Sequence, residues 1–255
     1  MITAGLDVGA QTVKVAILKD RNLLSHSIVL CGVQRKGSID QAFNEALQKA
    51  GISREEIKGI VATGTGKTDV DFANSNISEI IADARGALWF CPTAKTVIDI
   101  GAEESRGLKC NADGKVLDFA KNEKCAAGVG AFVESMARAL ELNTEEMGEL
   151  SLKSQKEIPM NVTCVVFAES EVISLIHSNI AKPDIARAIH DAIATRTTSM
   201  VRKVGIEKDV ALIGGVAKNI GVIAGLKRHL GVDDIKISEE PQIIGAIGAA
   251  LIAAD

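Results

Sequence analysis

The segment Leu6-Asp7-Val8-Gly9-Ala10-Gln11 has a counterpart 92 positions later, Ile98-Asp99-Ile100-Gly101-Ala102-Glu103. In both segments an apolar run leads into an Asp-x-Gly turn, and a further apolar run follows the turn, which predicts two β-hairpins. A third strand and then a helix are predicted after each hairpin. We interpret the recurrence as an internal repeat, and it predicts an α/β protein with two similar lobes.

The rest of the chain continues without a Pro-rich, Ser-rich or charged linker, so we expect the two lobes to be in close contact. We predict lobe I over residues 1–93, lobe II over residues 94–239, and a C-terminal helix within 240–255 that packs back on lobe I. Further strands are predicted at 59–62, at 209–215 and in the segment DIKI. Predicted helices cover 38–50, with a capping box formed by Ser38 and Gln41, 77–88, 130–141, 168–178, 184–203, 216–230 and a final stretch from 244.

Composition and charge limit the kinds of partner that the chain can bind and the cellular compartments that suit it. The 29 basic and 33 acidic side chains give a net charge of −4, which provides no basic field for nucleic acid or an anionic membrane. The N-terminal residues do not have the pattern of a secretion signal, and no apolar stretch approaches about 18 residues. Five cysteines are an odd number in a chain of 255 residues, which argues against a disulfide framework. We expect a cytoplasmic protein that binds a small molecule or another protein.

The paired turns suit a polyphosphate held from two sides. Glycines let backbone N–H groups approach the phosphates, and Asp7 and Asp99 can hold hydrated Mg²⁺. One Asp-x-Gly turn is a weak signal, but here two such turns are combined with Gly214-Gly215-Val216-Ala217-Lys218-Asn219 at a predicted strand-to-helix junction. The sequence therefore predicts a nucleotide site.

Two other nucleotide motifs do not fit. The segment Thr63-Gly64-Thr65-Gly66-Lys67-Thr68 ends like a P-loop, but Val61 stands where that motif needs its first glycine. The segment Gly128-Val129-Gly130 lacks the third glycine of a dinucleotide fingerprint.

The three segments together resemble the superfamily of acetate kinase, heat-shock chaperones, actin and sugar kinases. This resemblance implies a two-lobed actin-like (ribonuclease H-like) fold with a nucleotide cleft between the lobes, and it makes the segment from Gly245 to Ala249 similar to the second helix that connects the lobes. The phosphate-binding residues that it implies are Asp7, Gly9, Ala10, Gln11, Thr12, Lys14, Asp99, Gly101 and Ala102. The adenosine-binding residues that it implies are Gly214, Gly215, Val216 and Asn219.

Two cysteines, Cys125 and Cys164, each lie just ahead of a predicted helix. The positive end of a helix favours a thiolate there, although by spacing alone a lone cysteine is more often a small buried apolar residue. Two cysteines cannot enclose a [4Fe–4S] cluster, which takes four thiolates, but a symmetric dimer can supply two from each copy.

The stretches NEKCAAGVGAF, TCVVFAESEVISL and IGGVAKN resemble the ATP-dependent activators of 2-hydroxyacyl-CoA dehydratases and the ATPase subunits of benzoyl-CoA reductases. The resemblance covers essentially the whole chain. It implies one [4Fe–4S] cluster per homodimer or pseudo-symmetric heterodimer, bound by Cys125 and Cys164, with Cys31, Cys91 and Cys110 structural. It also implies ferredoxin or flavodoxin as electron donor and a dehydratase- or reductase-type iron–sulfur protein as acceptor.

The second turn departs from that family. Where the family often has Asp-Ile-Gly-Gly-Gln-Asp, this chain has Asp99-Ile100-Gly101-Ala102-Glu103-Glu104. Glu103 can orient water as a catalytic base, but it also places a negative charge near the phosphates. ATP binding is therefore a firmer prediction than ATP hydrolysis. The departure also leaves open whether the chain is an activator, a subunit of a heteromeric benzoyl-CoA reductase-like enzyme, or the reductase of a double-cubane cluster protein.

Two functions of other classes fit the same fold. A small-metabolite kinase needs a catalytic Asp in the cleft, and we find no candidate for it between the phosphate loops and the adenosine loop. A filament-forming or regulatory ATPase would assemble with nucleotide and would be indifferent to Cys125→Ser.

Overall fold

The computed structural model describes residues 1–122, 129–160 and 165–255. Within these ranges the strands form two five-stranded sheets. Sheet A contains β1 (Ile2–Val8), β2 (Thr12–Lys19), β3 (Asn22–Leu30), β4 (Gly59–Thr63) and β5 (Ser75–Asn76). Sheet B contains β6 (Thr96–Ile100), β7 (Ser105–Cys110), β8 (Val116–Lys121), β9 (Val210–Ile213) and β10 (Lys236–Ile237).

The two sheets have the same topology. Sheet A has the order β3-β2-β1-β4-β5, and sheet B, read from the other edge, has the order β8-β7-β6-β9-β10. In each sheet the first three strands form an antiparallel meander, and the last two lie parallel to the first. The predicted recurrence of strand, turn, strand, turn and strand is therefore present in both sheets.

Eight α-helices lie within the described ranges: α1 (Arg35–Ala50), α2 (Glu79–Phe90), α3 (Val129–Ala139), α4 (Thr144–Ser151), α5 (Val165–His177), α6 (Lys182–Val201), α7 (Ile220–Leu230) and α8 (Ile244–Ile252). Helix α1 covers sheet A, and the buried residues of α3, α4, α6 and α7 form a large apolar cluster with sheet B. A third cluster joins α2 and α8 to residues of both sheets. None of the described helices is both long and apolar enough to cross a bilayer.

Helix α8 packs back on sheet A and crosses α2 at very short range. The hydroxyl of Thr3 in β1 donates to the carbonyl oxygen of Ala250 over 2.8 Å. At the crossing, a Cβ on Gly248 would lie 2.7 Å from the carbonyl carbon of Ala82, and one on Gly86 would lie 2.8 Å from the Ile244 side chain. Only glycine allows two helix backbones to approach so closely. The division into residues 1–93 with 240–255 and residues 94–239 stays a prediction.

Several predicted boundaries shift. Helix α1 begins at Arg35 rather than Ser38, and no capping box forms because the Ser38 hydroxyl accepts the N–H of Gly32 instead, over 2.9 Å. Gly51 ends α1 with a φ of 66°, as predicted. The helix expected over 216–230 is a 3₁₀ turn followed by α7, because Asn219 caps α7.

Two short elements were not predicted. Helix α4 begins after Asn143, whose side chain forms a capping box with Glu146, a signal that the sequence does carry. Strand β5 has only two residues, Ser75 and Asn76, which is too short to give a periodic pattern.

Candidate nucleotide site

The two Asp-x-Gly turns close hairpins of matching geometry. In the first hairpin Asp7 stands opposite Lys14, and in the second Asp99 stands opposite Arg106. Lys14 Nζ lies 3.1 Å from Asp7 Oδ2, and Arg106 Nη1 lies 2.6 Å from Asp99 Oδ2. Each aspartate is therefore the penultimate residue of its strand and faces a cation on the returning strand.

A glycine of positive φ follows the neighbouring parallel strand in each sheet. Gly64, after β4, has a φ of 91°, and Gly214, after β9, has a φ of 90°. A Cβ on Gly64 would lie 2.7 Å from Asp7 Oδ1, and one on Gly214 would lie 2.5 Å from Asp99 Oδ1. Both positions therefore require glycine, for backbone conformation and for space.

A cavity of about 490 Å³ lies between the two hairpins. All of the residues that the sequence analysis assigned to the phosphates, the adenosine and the catalytic base line this one cavity: Asp7, Gly9, Ala10, Gln11, Thr12, Lys14, Asp99, Gly101, Ala102, Glu103, Gly214, Gly215, Val216 and Asn219. Thr63, Gly64 and Thr65 also line it, so the segment that is not a P-loop still contributes backbone to the cavity.

The side chain of Asn219 already has structural partners. Its oxygen accepts the N–H groups of Gly221 and Val222 over 3.0 and 3.1 Å, and its amide donates to the carbonyl oxygen of Thr144 over 3.0 Å. Asn219 therefore joins the loop after β9 to the first residue of α4. The role of Asn219 in adenosine binding stays a prediction.

Several charged residues that line the cavity were not predicted from the sequence, among them two carboxylates of α2 and an arginine of β7. Glu79 and Asp83 lie one turn apart on α2, and Arg106 reaches them from β7. Arg106 is the counterpart of Lys14 at the same offset that relates Asp99 to Asp7, so the repeat carried a signal for it. Nothing in the sequence pattern singles out Asp83, because its position depends on how α2 packs against α8.

The comparisons with known proteins decide the family. Residues 4–253 match the model of the BadF/BadG/BcrA/BcrD ATPase family. The chain belongs to this ATPase family. Members that it resembles include the 2-hydroxyisocaproyl-CoA dehydratase activator of Clostridioides difficile, at 38% identity over 100% of this chain and 96% of the relative. Another is the (R)-2-hydroxyglutaryl-CoA dehydratase activating ATPase of Acidaminococcus fermentans, at 40% identity over 98% and 96%.

Solved structures agree with this assignment. The activator of the 2-hydroxyisocaproyl-CoA dehydratase from Clostridium difficile, solved with bound ADPNP, superposes with a TM-score of 0.93 at 37% identity, over 99% of this chain and 94% of that one. A ROK hexokinase from Thermus thermophilus, at 15% identity and a TM-score of 0.52 over 100% and 98%, shows likeness of fold alone. The BadF/BadG/BcrA/BcrD chain described here thus has the actin-like ATPase fold, as predicted.

Burial and like charges shape the acidic part of this family member's cavity. Burial raises the pKa of Asp83 well above its ordinary value, and the nearby carboxylate of Asp99 raises it further. Burial also raises the pKa of Asp99, against the opposing effect of Arg106. Glu103 also lines the cavity, but its side chain is exposed and pairs with no cation in the part of the chain that the structure describes.

The carboxylates of Asp7 and Asp99 are hard oxygen donors of the kind that Mg²⁺ prefers. Among the described residues no three His, Cys, Asp or Glu side chains are close enough together to hold a metal ion by themselves. This donor set therefore fits a Mg²⁺ ion bound through water molecules and phosphate oxygens, rather than one enclosed by protein ligands alone. Cys125 and Cys164 lie outside the described residues. Of the described cysteines, Cys91 and Cys110 are buried and Cys31 is half-buried.

Proposed function

We propose that this chain is an ATP-dependent one-electron reductase that activates an iron–sulfur enzyme. The observation that carries the proposal is the pair of Asp-x-Gly hairpins facing one cavity, in a chain that resembles dehydratase activators along its full length. ATP would bind between the hairpins, with its phosphates on the backbone N–H groups of both turns and its adenosine on the loop from Gly214 to Asn219.

Four residues carry the chemistry of the proposed hydrolysis. Asp7 and Asp99 would hold Mg²⁺ through water, and the ion would neutralise charge on the phosphates. Lys14 would add a positive charge beside the first turn. Glu103, on the second turn, would orient the attacking water as a general base.

The second turn is attached directly to helix α3. The N–H groups of Gly130 and Ala131 donate to the carbonyl oxygens of Gly101 and Ala102, each over 3.2 Å. A Cβ on Gly130 would lie 2.8 Å from the Cα of Ala102, so the contact needs glycine. Movement of the turn would therefore move the start of α3, which follows Cys125 in the chain by a few residues.

The redox part of the proposal rests on Cys125 and Cys164. Two copies of the chain, as a homodimer or a pseudo-symmetric heterodimer, would provide the four thiolates of one [4Fe–4S] cluster. When bound, that cluster would supply a low-potential electron. Ferredoxin or flavodoxin would be the donor, and a 2-hydroxyacyl-CoA dehydratase- or benzoyl-CoA reductase-like iron–sulfur protein the acceptor.

The test is strictly anaerobic purification, followed by iron and sulfide analysis and by EPR after reduction. We expect about four irons per dimer and their loss in both Cys125→Ser and Cys164→Ser. Cys31→Ser, a change at a half-buried cysteine directly after β3, is the matched control and should keep its iron. Colourless protein after anaerobic reconstitution, or iron that survives both substitutions, would contradict the proposal.

A small-metabolite kinase is the second candidate, and the position of Asp83 is the observation that favours it. This buried carboxylate in the cavity is the kind of base that a kinase needs for a substrate hydroxyl. A kinase would transfer the γ-phosphate of ATP to an added sugar or metabolite and would hold no iron. The same purification therefore separates the two candidates.

A further inference from the structure

Arg106 contacts carboxylates from three separate segments of the chain. Its guanidinium lies 2.6 Å from Asp99 at the end of β6 and 3.1 Å from Glu104 in the second turn. On α2 it lies 3.4 Å from Asp83 and 3.8 Å from Glu79. The Arg106 side chain is only 12% exposed, so these contacts are made largely out of water.

The equivalent cation of the first hairpin has a simpler environment. Lys14 forms one ion pair, with Asp7, among the described residues. A lysine ammonium is a point charge, whereas the planar guanidinium of arginine carries five N–H groups and can contact several carboxylates at once. Arg106 is therefore suited to link several segments of the chain through their carboxylates, whereas Lys14 is suited to neutralise one carboxylate.

The carboxylates of α2 extend the network of Arg106 towards sheet A. Glu79 begins α2, and its other oxygen lies 3.5 Å from Nζ of Lys67, in the loop after β4. Ion pairs thus run from the second hairpin through Arg106 and Glu79 to the loop beside the first hairpin. Arg106 and Glu79 both line the cavity that lies between the hairpins.

We propose that Arg106 is a positioning residue for ATP hydrolysis, which holds the carboxylate of Asp99 and ties the second hairpin to α2. The inference rests on the proposed ATP-binding function and adds to it a residue that acts through Asp99 rather than on the phosphates. Without the guanidinium, Asp99 and Asp83 would lose the cation that they share, and Glu79 would keep Lys67 as its partner among the described residues. Asp99 would then turn away from its working position, while the backbone groups that bind ATP would stay in place.

The experiment measures steady-state ATP hydrolysis by the purified full chain for four proteins: wild type, Arg106→Gln, Arg106→Lys and Arg85→Gln. We expect Arg106→Gln to lower kcat by roughly 100-fold, because small misplacements of catalytic groups have effects of that order. Its KM for ATP should change by less than about threefold, since the contacts that bind ATP equally in the ground state and the transition state are kept. Arg106→Lys, which keeps the charge, and free guanidinium ions added to Arg106→Gln should each restore part of kcat.

Arg85→Gln is the matched control, because it removes an arginine of α2 that pairs with Asp255 outside the cavity, over 2.6 Å. Its kcat should equal that of the wild type. A loss of kcat that neither lysine nor guanidinium restores, or a Gln variant that behaves like Arg85→Gln, would overturn the role of Arg106. Calorimetry on the wild type separates the two proposals: a chain that binds no ATP overturns both, whereas for one that binds ATP the kinetics decide the role of Arg106 and the iron analysis decides the redox function.

Discussion

The hairpin from Asp7 to Lys14 and the hairpin from Asp99 to Arg106 share one backbone design, and they differ in the charge around it. Each has an Asp-x-Gly turn, a cation opposite the aspartate, and a positive-φ glycine on the neighbouring parallel strand. Among the residues that the structure describes, the first aspartate pairs with Lys14 alone, and the rest of its turn is neutral. The second aspartate lies among further carboxylates, and its cation is shared by all of them.

The difference extends to the tips of the turns. Gln11 and Thr12 in the first hairpin correspond to Glu103 and Glu104 in the second. A neutral turn next to a lone Asp–Lys pair suits binding of phosphate. An acidic turn adjoining an arginine network suits control of water and of movement. We infer that backbone geometry was kept in both copies while their electrostatics diverged, and the predictions below test each half of that statement.

The largest effect is expected where the shared backbone is disturbed. Gly64→Ala and Gly214→Ala should each lower the free energy of unfolding by about 3 kcal/mol, from left-handed backbone strain plus a clash of the new Cβ with an aspartate. The measurement is urea unfolding of each variant. Gly231→Ala is the matched control, since Gly231 has a φ of 70° but no neighbouring atom within 4 Å, so only about 1 kcal/mol of strain remains.

If the two hairpins are equivalent in backbone, Gly64→Ala and Gly214→Ala should lose similar stability, and both should lose more than Gly231→Ala. Equal losses for all three glycines would mean that the close approach to Asp7 and Asp99 has no energetic weight. A loss confined to Gly214→Ala would show that the two copies no longer share their packing.

A smaller effect is expected from the electrostatic difference between the turns. Glu103→Gln makes the second turn resemble the first, and we expect kcat for ATP hydrolysis to fall by about tenfold, less than the roughly 100- to 10,000-fold typical of a general base, because the side chain is exposed. ATP should bind more tightly, since a negative charge near the phosphates is removed. Both quantities come from a kinetic titration combined with calorimetry.

The reciprocal change, Gln11→Glu, is the matched control for Glu103→Gln. It should weaken ATP binding through charge repulsion without creating a faster enzyme, because the first turn has no arginine network behind it. A Glu103→Gln variant with undiminished kcat would remove Glu103 from the role of base and leave it as a charge that opposes binding.

The sequence was sufficient for the parts of this site that depend on backbone conformation. Asp7, Asp99 and Gly214 could be placed because a glycine turn after an apolar strand leaves few alternatives. The repeat then related the two sheets to each other. The same repeat would have identified Arg106, because its spacing from Lys14 equals the spacing of Asp99 from Asp7.

The remaining features depend on packing between distant segments. Asp83 faces the cavity because α2 lies against α8 through Gly86 and Gly248, and helical periodicity alone does not say which side of α2 faces a ligand. The predicted start of α1 was wrong for a more local reason, because the Ser38 hydroxyl accepts the N–H of the nearby Gly32 instead of capping the helix. Local patterns predict local structure, whereas the acidic half of the site results from contacts between segments far apart in the chain.

The smallest expected effect concerns Asp83, the buried carboxylate of α2 that contacts Arg106 of the second hairpin. Burial and Asp99 raise its folded-state pKa above the ordinary 3.8, so the folded protein holds a proton that the unfolded chain releases, and this contribution to stability is lost as the pH rises through the folded pKa. Asp83→Asn removes the titrating group. In EDTA and without nucleotide, the variant should therefore be more stable than the wild type at pH 8, and its advantage should shrink as the pH approaches 4.

Urea unfolding over a pH series measures how the stability difference between Asp83→Asn and the wild type changes with pH. Asp40→Asn, the same change at an exposed position of α1, controls for the lost charge. A stability difference between Asp83→Asn and the wild type that does not vary with pH would mean that folding does not shift the pKa of Asp83, because Arg106 offsets the effect of burial on its carboxylate.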